Sequence, residues 1–154
     1  MNGKRGYTLI EILVALTILG LIFFYGFASF REFSRRQALL SSARSLVGEI
    51  RLTQEFALSG NKPAGCIVLD GFRVKFSPAQ YGVVAVCEAA ELSIGKDGIS
   101  LADGVTLNAT VPSITFKVLG QGTDIATPDM TITLTQEGTD NVQTIVVSAS
   151  GEIN

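Results

Sequence analysis

Gly6-Tyr7-Thr8-Leu9-Ile10-Glu11 opens a long apolar run that continues to Phe30. Between Tyr7 and Phe30 only Glu11 carries a charge. At 1.5 Å per residue a helix over this run is about 36 Å long, enough to cross a hydrocarbon core about 30 Å thick. A carboxylate within such a helix costs several kcal/mol in lipid. The stretch therefore predicts a membrane-spanning helix whose one acidic residue needs a partner or a function.

Composition separates this apolar start from the rest of the chain. The 154 residues are enough for one domain of ordinary size and an anchor, and the net charge is −2. From Gly60 onward there are five basic and ten acidic residues, and the chain has no histidine. Phosphate contacts need clustered Lys and Arg, so this balance makes nucleic-acid binding unlikely.

A short basic leader, residues 1–6, precedes the apolar run and contains Lys4 and Arg5. A secretory signal peptide is cut after its apolar region, next to small residues, and Ala28 offers a weak site of that kind. The neighbouring phenylalanines and the helical pattern beyond Phe30 argue against such a cut. A simple signal anchor remains as an alternative.

Residues 6–11 resemble the prepilin processing motif of type IV pilins and type II secretion pseudopilins. The resemblance implies that a prepilin peptidase cuts after Gly6 and methylates the new amino terminus on Tyr7, where Phe is the commoner residue. It makes Glu11 the fifth residue of the mature chain. It also implies a filament built by stacking the apolar helices of many subunits.

In such a filament the Glu11 carboxylate would pair with the Tyr7 amine of a neighbouring subunit. A charge pair in a low-dielectric core is much stronger than one in water, and an unpaired charge is penalised. Glu11 would then set the register of the stack. The alternative is a carboxylate that protonates or reaches the interface by snorkelling, since it lies only four residues from Tyr7.

The charges beside the apolar run leave its orientation ambiguous. Lys4 and Arg5 lie before it, whereas three arginines and one glutamate lie just after it. The positive-inside rule alone does not decide. The leader motif implies a cytoplasmic amino terminus in the bacterial inner membrane, a single pass, a carboxy-terminal domain outside, and later an extracytoplasmic filament. The charged residues just after the apolar run are Arg31, Glu32, Arg35 and Arg36.

The helical pattern continues past Phe30 as an amphipathic helix, and Gly60 with Pro63 ends it. We therefore expect a leader at 1–6, a transmembrane or filament-core segment at 7–30, an amphipathic continuation at 31–59 and a β-rich extracytoplasmic domain at 60–154. The apolar positions of the continuation are Phe33, Leu39, Leu40, Ala43, Leu46, Val47, Ile50, Ala57 and Leu58.

From Cys66 the apolar period changes to two, which is typical of strands. Asp70-Gly71 predicts a hairpin turn, and Leu92 to Gly104 is a weak segment with a further turn at Asp97-Gly98. A long helix followed by about seven antiparallel strands predicts an α+β fold, with the helix packed on a sheet or sandwich. The other predicted strands are 66–69, 72–76, 81–87, 105–107, 113–119, 130–135 and 144–148, with a short strand or tail at 151–153.

The second half is similar to the carboxy-terminal domain of GspH/FimT-type minor pilins. Ser113 to Phe116 runs into the glycine turn at Gly120, and Ile145 to Ser148 leads to a tail with Gly151. This resemblance implies a minor subunit. FimT-like proteins also suggest DNA uptake through basic tail residues, but the tail here, residues 150–154, has Glu152 and no arginine.

Other candidate chemistry is sparse. Cys66 and Cys87 lie in the domain expected outside the cytoplasm, where a disulfide is plausible; two buried thiols are the alternative. Asn108 begins a glycosylation sequon. We expect no metal site and no cofactor, because no segment matches the EF-hand spacing and the cysteines lack histidine partners. Candidate calcium ligands would be Asp97, Asp103, Asp124 and Asp129.

No catalytic motif is present, so we expect no enzymatic activity. The sequence predicts a minor pilin or pseudopilin in a type IV pilus-like or type II secretion-like filament. Its partners would be other such subunits through the amino-terminal helix, the prepilin peptidase and the membrane. A DNA-uptake module and a major pilin are the alternatives.

Overall fold

A computed structural model describes residues 8–88, 90–125 and 129–154. A single long helix, α1 (Leu9–Ser59), is followed in these residues by seven strands and a short 3₁₀ helix at Val118–Gly120. Leu9 follows Thr8, and Gly60 at positive φ follows the last helical residue. The strands are β1 (Leu69–Ser77), β2 (Gln80–Cys87), β3 (Ala90–Ser100), β4 (Val105–Ala109), β5 (Ser113–Lys117), β6 (Met130–Gln136) and β7 (Val142–Val147).

The chain divides into two compact units, one up to Arg35 and the other from Arg36 to Asn154. The described residues of the first unit are almost entirely helical. Its helix is long and apolar enough to cross a membrane by length and composition.

In the second unit the helix buries one stripe, with side chains at spacings of three and four. Thr53 belongs to this stripe although it is polar, because its hydroxyl donates to the Glu49 carbonyl at 2.7 Å. The predicted packing of this half on the β-rich domain is confirmed. Two of the predicted apolar positions are exposed, Leu58 in this unit and Phe33 in the first unit. The stripe consists of Leu39, Ala43, Leu46, Ile50, Thr53 and Ala57.

The strands form two antiparallel sheets that share one core. One sheet has the order β3-β2-β1-β5 and the other the order β4-β6-β7. Phe72 of β1 contacts the ring of Phe56 on the helix, with 5.7 Å between ring centroids. Val83, Ile114, Ile132, Leu134 and Val147 complete the centre, each with no exposed surface. The α+β fold predicted from the sequence is therefore confirmed.

The hairpin turn predicted at Asp70-Gly71 is wrong, because both residues lie within β1. The pairing of β1 with β2 shifts register between Leu69 and Gly71, so the pair forms a bulge. Gly71 lies opposite Lys117 of β5, and a Cβ built on it would collide with the Phe116 carbonyl oxygen and lie 3.1 Å from that carbonyl carbon. Close strand approach, and not a turn, requires this glycine.

The segment predicted as weak, Leu92 to Gly104, is mostly the long strand β3. Asp97-Gly98 does not end it, which corrects the predicted turn. The pairing with β2 shifts register around Val83, and Gly95 and Gly98 on β3 have positive φ. The glycines therefore make bulges inside a continuing strand.

Candidate functional site

The apolar run of the first unit has no protein core around it. From Leu9 to Phe30 its large hydrophobic side chains are between 47% and 84% exposed, and they point in all directions around the helix. A helix that is apolar all round is stable only in lipid or against other apolar helices. The arrangement can anchor the chain in a membrane or pack against other subunits.

Glu11 lies in the first turn of this helix, and Thr8 caps it. The Glu11 amide donates to the Thr8 hydroxyl at 3.3 Å and to the Thr8 carbonyl at 3.1 Å. Thr-x-x-Glu is the order of a capping box, in which the glutamate stands at the third helical position. This Thr-x-x-Glu order is visible in the sequence and is sufficient to predict the cap at Thr8.

The Glu11 side chain is exposed, and no lysine or arginine of the described residues forms an ion pair with it. Its carboxylate lies at the positive end of the helix dipole, which favours a negative charge there. The predicted cleavage residues Gly6 and Tyr7 lie outside the described residues. The pairing predicted between Glu11 and the Tyr7 amine therefore stays a prediction.

Within the second unit, an ion pair joins the helix to β3. Lys96 Nζ lies 2.8 Å and 3.0 Å from the two carboxylate oxygens of Glu49, and both side chains are about three-quarters buried. The same Nζ lies 5.9 Å from the centre of the Phe56 ring. Burial raises the pKa of the nearby Tyr81 hydroxyl, and the Glu49 charge raises it further. The contact fixes the helix on the bulged edge strand.

A disulfide joins Cys66, in the loop after the helix, to Cys87 at the end of β2, with 5.6 Å between their Cα atoms. Lys62 Nζ also donates to the Ile67 carbonyl at 3.0 Å within this loop. Cross-linking residues 21 positions apart restricts the unfolded chain. The disulfide therefore restrains the connection from the helix to the first sheet.

A row of charged groups crosses the outer face of the first sheet. Glu91 of β3 accepts from Lys75 at 2.5 Å and from Arg73 at 2.9 Å, and Arg73 Nε donates to the Thr115 hydroxyl of β5. The hydrogen bonds from Lys75 and then Arg73 hold the pKa of the Glu91 carboxyl below its ordinary value of 4.5. These side chains cover the buried outward residue Val84.

Two of the four aspartates considered for calcium form hydrogen bonds within the fold. Asp124 accepts the Thr115 amide at 2.7 Å, and Asp97 is hydrogen-bonded to Ser93. Across residues 8–88, 90–125 and 129–154, no three His, Cys, Asp or Glu side chains are close enough to hold a metal ion together. Asn108, the sequon residue, is exposed on β4.

The carboxy-terminal tail folds back onto β7. Val146 and Asn154 exchange two hydrogen bonds of 2.9 Å, and the Ser148 amide donates to the Glu152 carbonyl at 2.9 Å. Gln54 of the helix donates to the Gly151 carbonyl at 3.3 Å. The tail residues that resemble GspH/FimT-type proteins thus form a short extended segment that is hydrogen-bonded to β7 and to the helix.

Two comparisons with known proteins give matches. The family described as the prokaryotic N-terminal methylation motif matches residues 1–24. The structure is similar to the crystal structure of the type IV minor pilin FimU from Pseudomonas aeruginosa, with a TM-score of 0.54 and 14% identity. That match covers 75% of this chain and 90% of FimU. No curated protein matches the sequence.

The motif and the fold are two separate similarities. The motif covers the predicted cleavage residues and most of the apolar helix, and the similarity to FimU is one of fold. This chain thus has an N-terminal methylation motif and a fold similar to that of a type IV minor pilin.

Proposed function

We propose that the chain is a minor pilin or pseudopilin of a type IV pilus-like or type II secretion-like filament. The observation that carries the proposal is the exposed apolar helix from Leu9 to Phe30, with Glu11 as its one charge. This surface has two suitable environments, a lipid bilayer and a core of neighbouring helices. The subunit would move from the first to the second during assembly.

Processing precedes assembly in this proposal. A prepilin peptidase cuts after Gly6 on the cytoplasmic side of the inner membrane and methylates the Tyr7 amine. The residues after Phe30 lie outside the cytoplasm, where the Cys66–Cys87 disulfide is stable. The match of residues 1–24 to the methylation motif supports this order of events.

Glu11 has two possible roles that substitutions can separate. In the register role its charge pairs with the Tyr7 amine of a neighbouring subunit. In the capping role its side chain accepts from the Thr8 amide of its own helix, and the matching half of the box is present in the Thr8 hydroxyl. Glutamine performs the capping role but carries no charge.

The decisive experiment compares Glu11→Gln, Glu11→Ala and Thr8→Ala in filaments sheared from cells, with membrane levels as the control. The register role predicts that both Glu11 variants are cleaved but depleted from filaments. It predicts that Thr8→Ala assembles nearly normally, because losing one cap costs only about 1 kcal/mol. Normal incorporation of Glu11→Gln would refute the register role.

Cleavage is tested separately by mass spectrometry of the amino-terminal peptide. We expect a methylated Tyr7 terminus in the unchanged protein and the uncut leader in Gly6→Val. A mature Tyr7 terminus in Gly6→Val would contradict the peptidase assignment. Because Glu11 is intact in that variant, failure of cleavage and failure of register remain distinguishable.

We favour a minor over a major subunit, because the tail is similar to GspH/FimT-type proteins and the fold is similar to that of the minor pilin FimU. A minor subunit should form a small fraction of sheared filaments. Quantitative mass spectrometry of those filaments measures it. This chain as the bulk component would make it a major pilin instead.

A further inference from the structure

The edge of β7 that faces away from β6 is only partly covered. Val146 and Ser148 direct their backbone groups outward, to the tail. Because hydrogen-bonding direction alternates along a strand, Val142 and Thr144 also direct theirs outward. Within the part of the chain that the structure describes, no strand pairs with β7 opposite these two residues.

The tail shows what kind of segment this edge accepts. It runs antiparallel to β7, with Ile153 opposite Val147 and Asn154 opposite Val146. Its Ile153 side chain packs against the core. A second extended segment on Val142 to Ile145 would continue the same ladder along the same strand.

The open edge borders a groove of about 430 Å³ against the helix. The helix side of this groove is a stripe of alternating apolar and basic residues, Leu40, Arg44, Val47 and Arg51. Gly48 also lines it, and a Cβ built there would have no atom within 4 Å. The groove is therefore open above the helix backbone.

The basic residues of the stripe are available to a partner. Neither Arg44 nor Arg51 forms an ion pair within the described residues, and both are exposed. Arg51 also borders a second cleft with Glu55 and Glu152, whereas no Asp or Glu side chain lines the groove that holds Arg44. A carboxylate entering the groove would thus meet Arg44 first.

We propose that this groove binds an extended segment of another protein chain by adding a strand to β7. The segment presents an apolar, an acidic and an apolar side chain in alternate positions towards the helix, matching Leu40, Arg44 and Val47. Its backbone pairs with Val142 and Thr144. The three side chains of the segment span four residues of a strand, about 13 Å. Leu40 to Val47 span seven residues of the helix, about 10.5 Å, so the two rows of side chains have similar lengths.

This interface is separate from the stacking of the apolar helices, since every groove residue lies within the unit from Arg36 to Asn154. Its test is therefore independent of Glu11 and of cleavage. Edge-to-edge pairing of two copies of this chain is disfavoured, because it would bring Arg44 and Arg51 of both copies to one interface. The acidic charge specified for the segment avoids that repulsion.

The probe is a fluorescein-labelled peptide, Thr-Val-Thr-Glu-Thr-Val-Thr, titrated with the full chain in nonionic detergent and followed by anisotropy. One control peptide replaces Glu by Lys, and another is N-methylated where its amides would face β7. Protein variants are Arg44→Glu and Gly48→Leu, which fills the groove from an open position. Lys117→Glu, an exposed charge reversal on β5, is the matched control.

We expect salt-sensitive binding and slower hydrogen exchange of the Val142 and Thr144 amides. Binding should be about tenfold weaker for each control peptide and for the Arg44→Glu and Gly48→Leu variants, which corresponds to the loss of roughly one hydrogen-bonded or charged contact. Lys117→Glu should change the affinity less than about twofold.

Four results would overturn the proposal. The first two are equal binding of the N-methylated and the unmethylated peptide, and equal binding of the peptide to Gly48→Leu and to the unchanged protein. The third is displacement of the peptide by duplex DNA that binds the protein more tightly than the peptide does. The fourth is self-association of the protein that Gly48→Leu abolishes.

Discussion

The substitution Gly71→Ala tests the close approach of β1 and β5. Gly71 pairs with Lys117, and a Cβ at Gly71 would collide with the Phe116 carbonyl oxygen and lie 3.3 Å from the Lys117 Cα. Each of these obstacles is backbone, so no side-chain rotation relieves the collision. One strand must move away from the other, and Phe116 is part of the core at 3% exposure.

The magnitude follows from two opposing effects. Overpacking in a close-packed region costs about 1–3 kcal/mol, and the upper half applies where the obstacle is backbone. Replacing glycine by alanine also restricts the unfolded chain, which stabilises by about 0.4–1 kcal/mol. The net loss is about 2 kcal/mol, which lowers Tm by about 8 °C for a unit of this size.

Thermal unfolding of the full chain in detergent, followed by circular dichroism, measures this change. Gly48→Ala is the matched control, because it makes the same chemical change in the middle of the helix with open space around the new methyl group. It should stabilise by about 0.5–1 kcal/mol. Equal stability of Gly71→Ala and the unchanged protein would refute the steric reasoning.

Three further substitutions test other contacts. Replacing Cys66 and Cys87 by serine should lower the free energy of unfolding by about 3 kcal/mol relative to the disulfide-bonded protein in urea denaturation, and the reduced protein should match the variant. Glu49→Gln should destabilise by about 1–3 kcal/mol, because it leaves the partly buried Lys96 without its charge partner, and a Glu49→Gln/Lys96→Met double mutant should recover part of that loss. The pKa of Glu91 is lowered in the fold, so its stabilisation is present above its unfolded pKa and lost as pH falls through the folded pKa. Glu91→Gln should therefore differ most from the unchanged protein above about pH 4.5, and the difference should shrink as the pH falls below that value.

The helix and most strands could be predicted from local pattern alone. The buried helix stripe from Leu39 to Ala57 repeats every three or four residues, and β6 alternates strictly from Met130 to Gln136. These patterns are local, since each buried face depends on residues a few positions apart. Tertiary contacts then agree with the local preference, which is why the prediction holds.

Asp-Gly pairs do not predict turns reliably in this chain, because the same dipeptide occurs both in turns and within strands. Asp103-Gly104 does form a turn, whereas Asp70-Gly71 and Asp97-Gly98 lie in β1 and β3. A turn and a bulge both use glycine, and the choice depends on the neighbouring strand. That strand is β5 for Gly71 and β2 for Gly98, and the sequence does not reveal either pairing.

In the candidate site, too, local features could be predicted from the sequence and contacts between distant residues could not. Glu11 was predicted from a local motif, and its capping partner Thr8 could have been predicted too, since it lies three residues away. The pairs Glu49–Lys96 and Arg73–Glu91 join residues 47 and 18 positions apart. Such partners follow from sheet order and not from composition, so sequence reasoning missed them.

Among the described residues, the edge strands of the two sheets differ in how they are covered. Residues 122–124 cover β5, since the amides of Lys117 and Asp124 bond across that edge. Bulges at Gly95 and Gly98 interrupt the regular edge of β3, and such bulges protect a strand from unwanted pairing. The Leu107 amide of β4 bonds to the Pro78 carbonyl. β7 has no bulge and is regular over its whole length, and the described residues cover it opposite residues 146–148. An exposed regular strand edge promotes aggregation unless a partner covers it. The edge of β7 lies beside Arg44 and Arg51, which repel the same arginines of a second copy. The same charges that prevent self-pairing select an acidic strand.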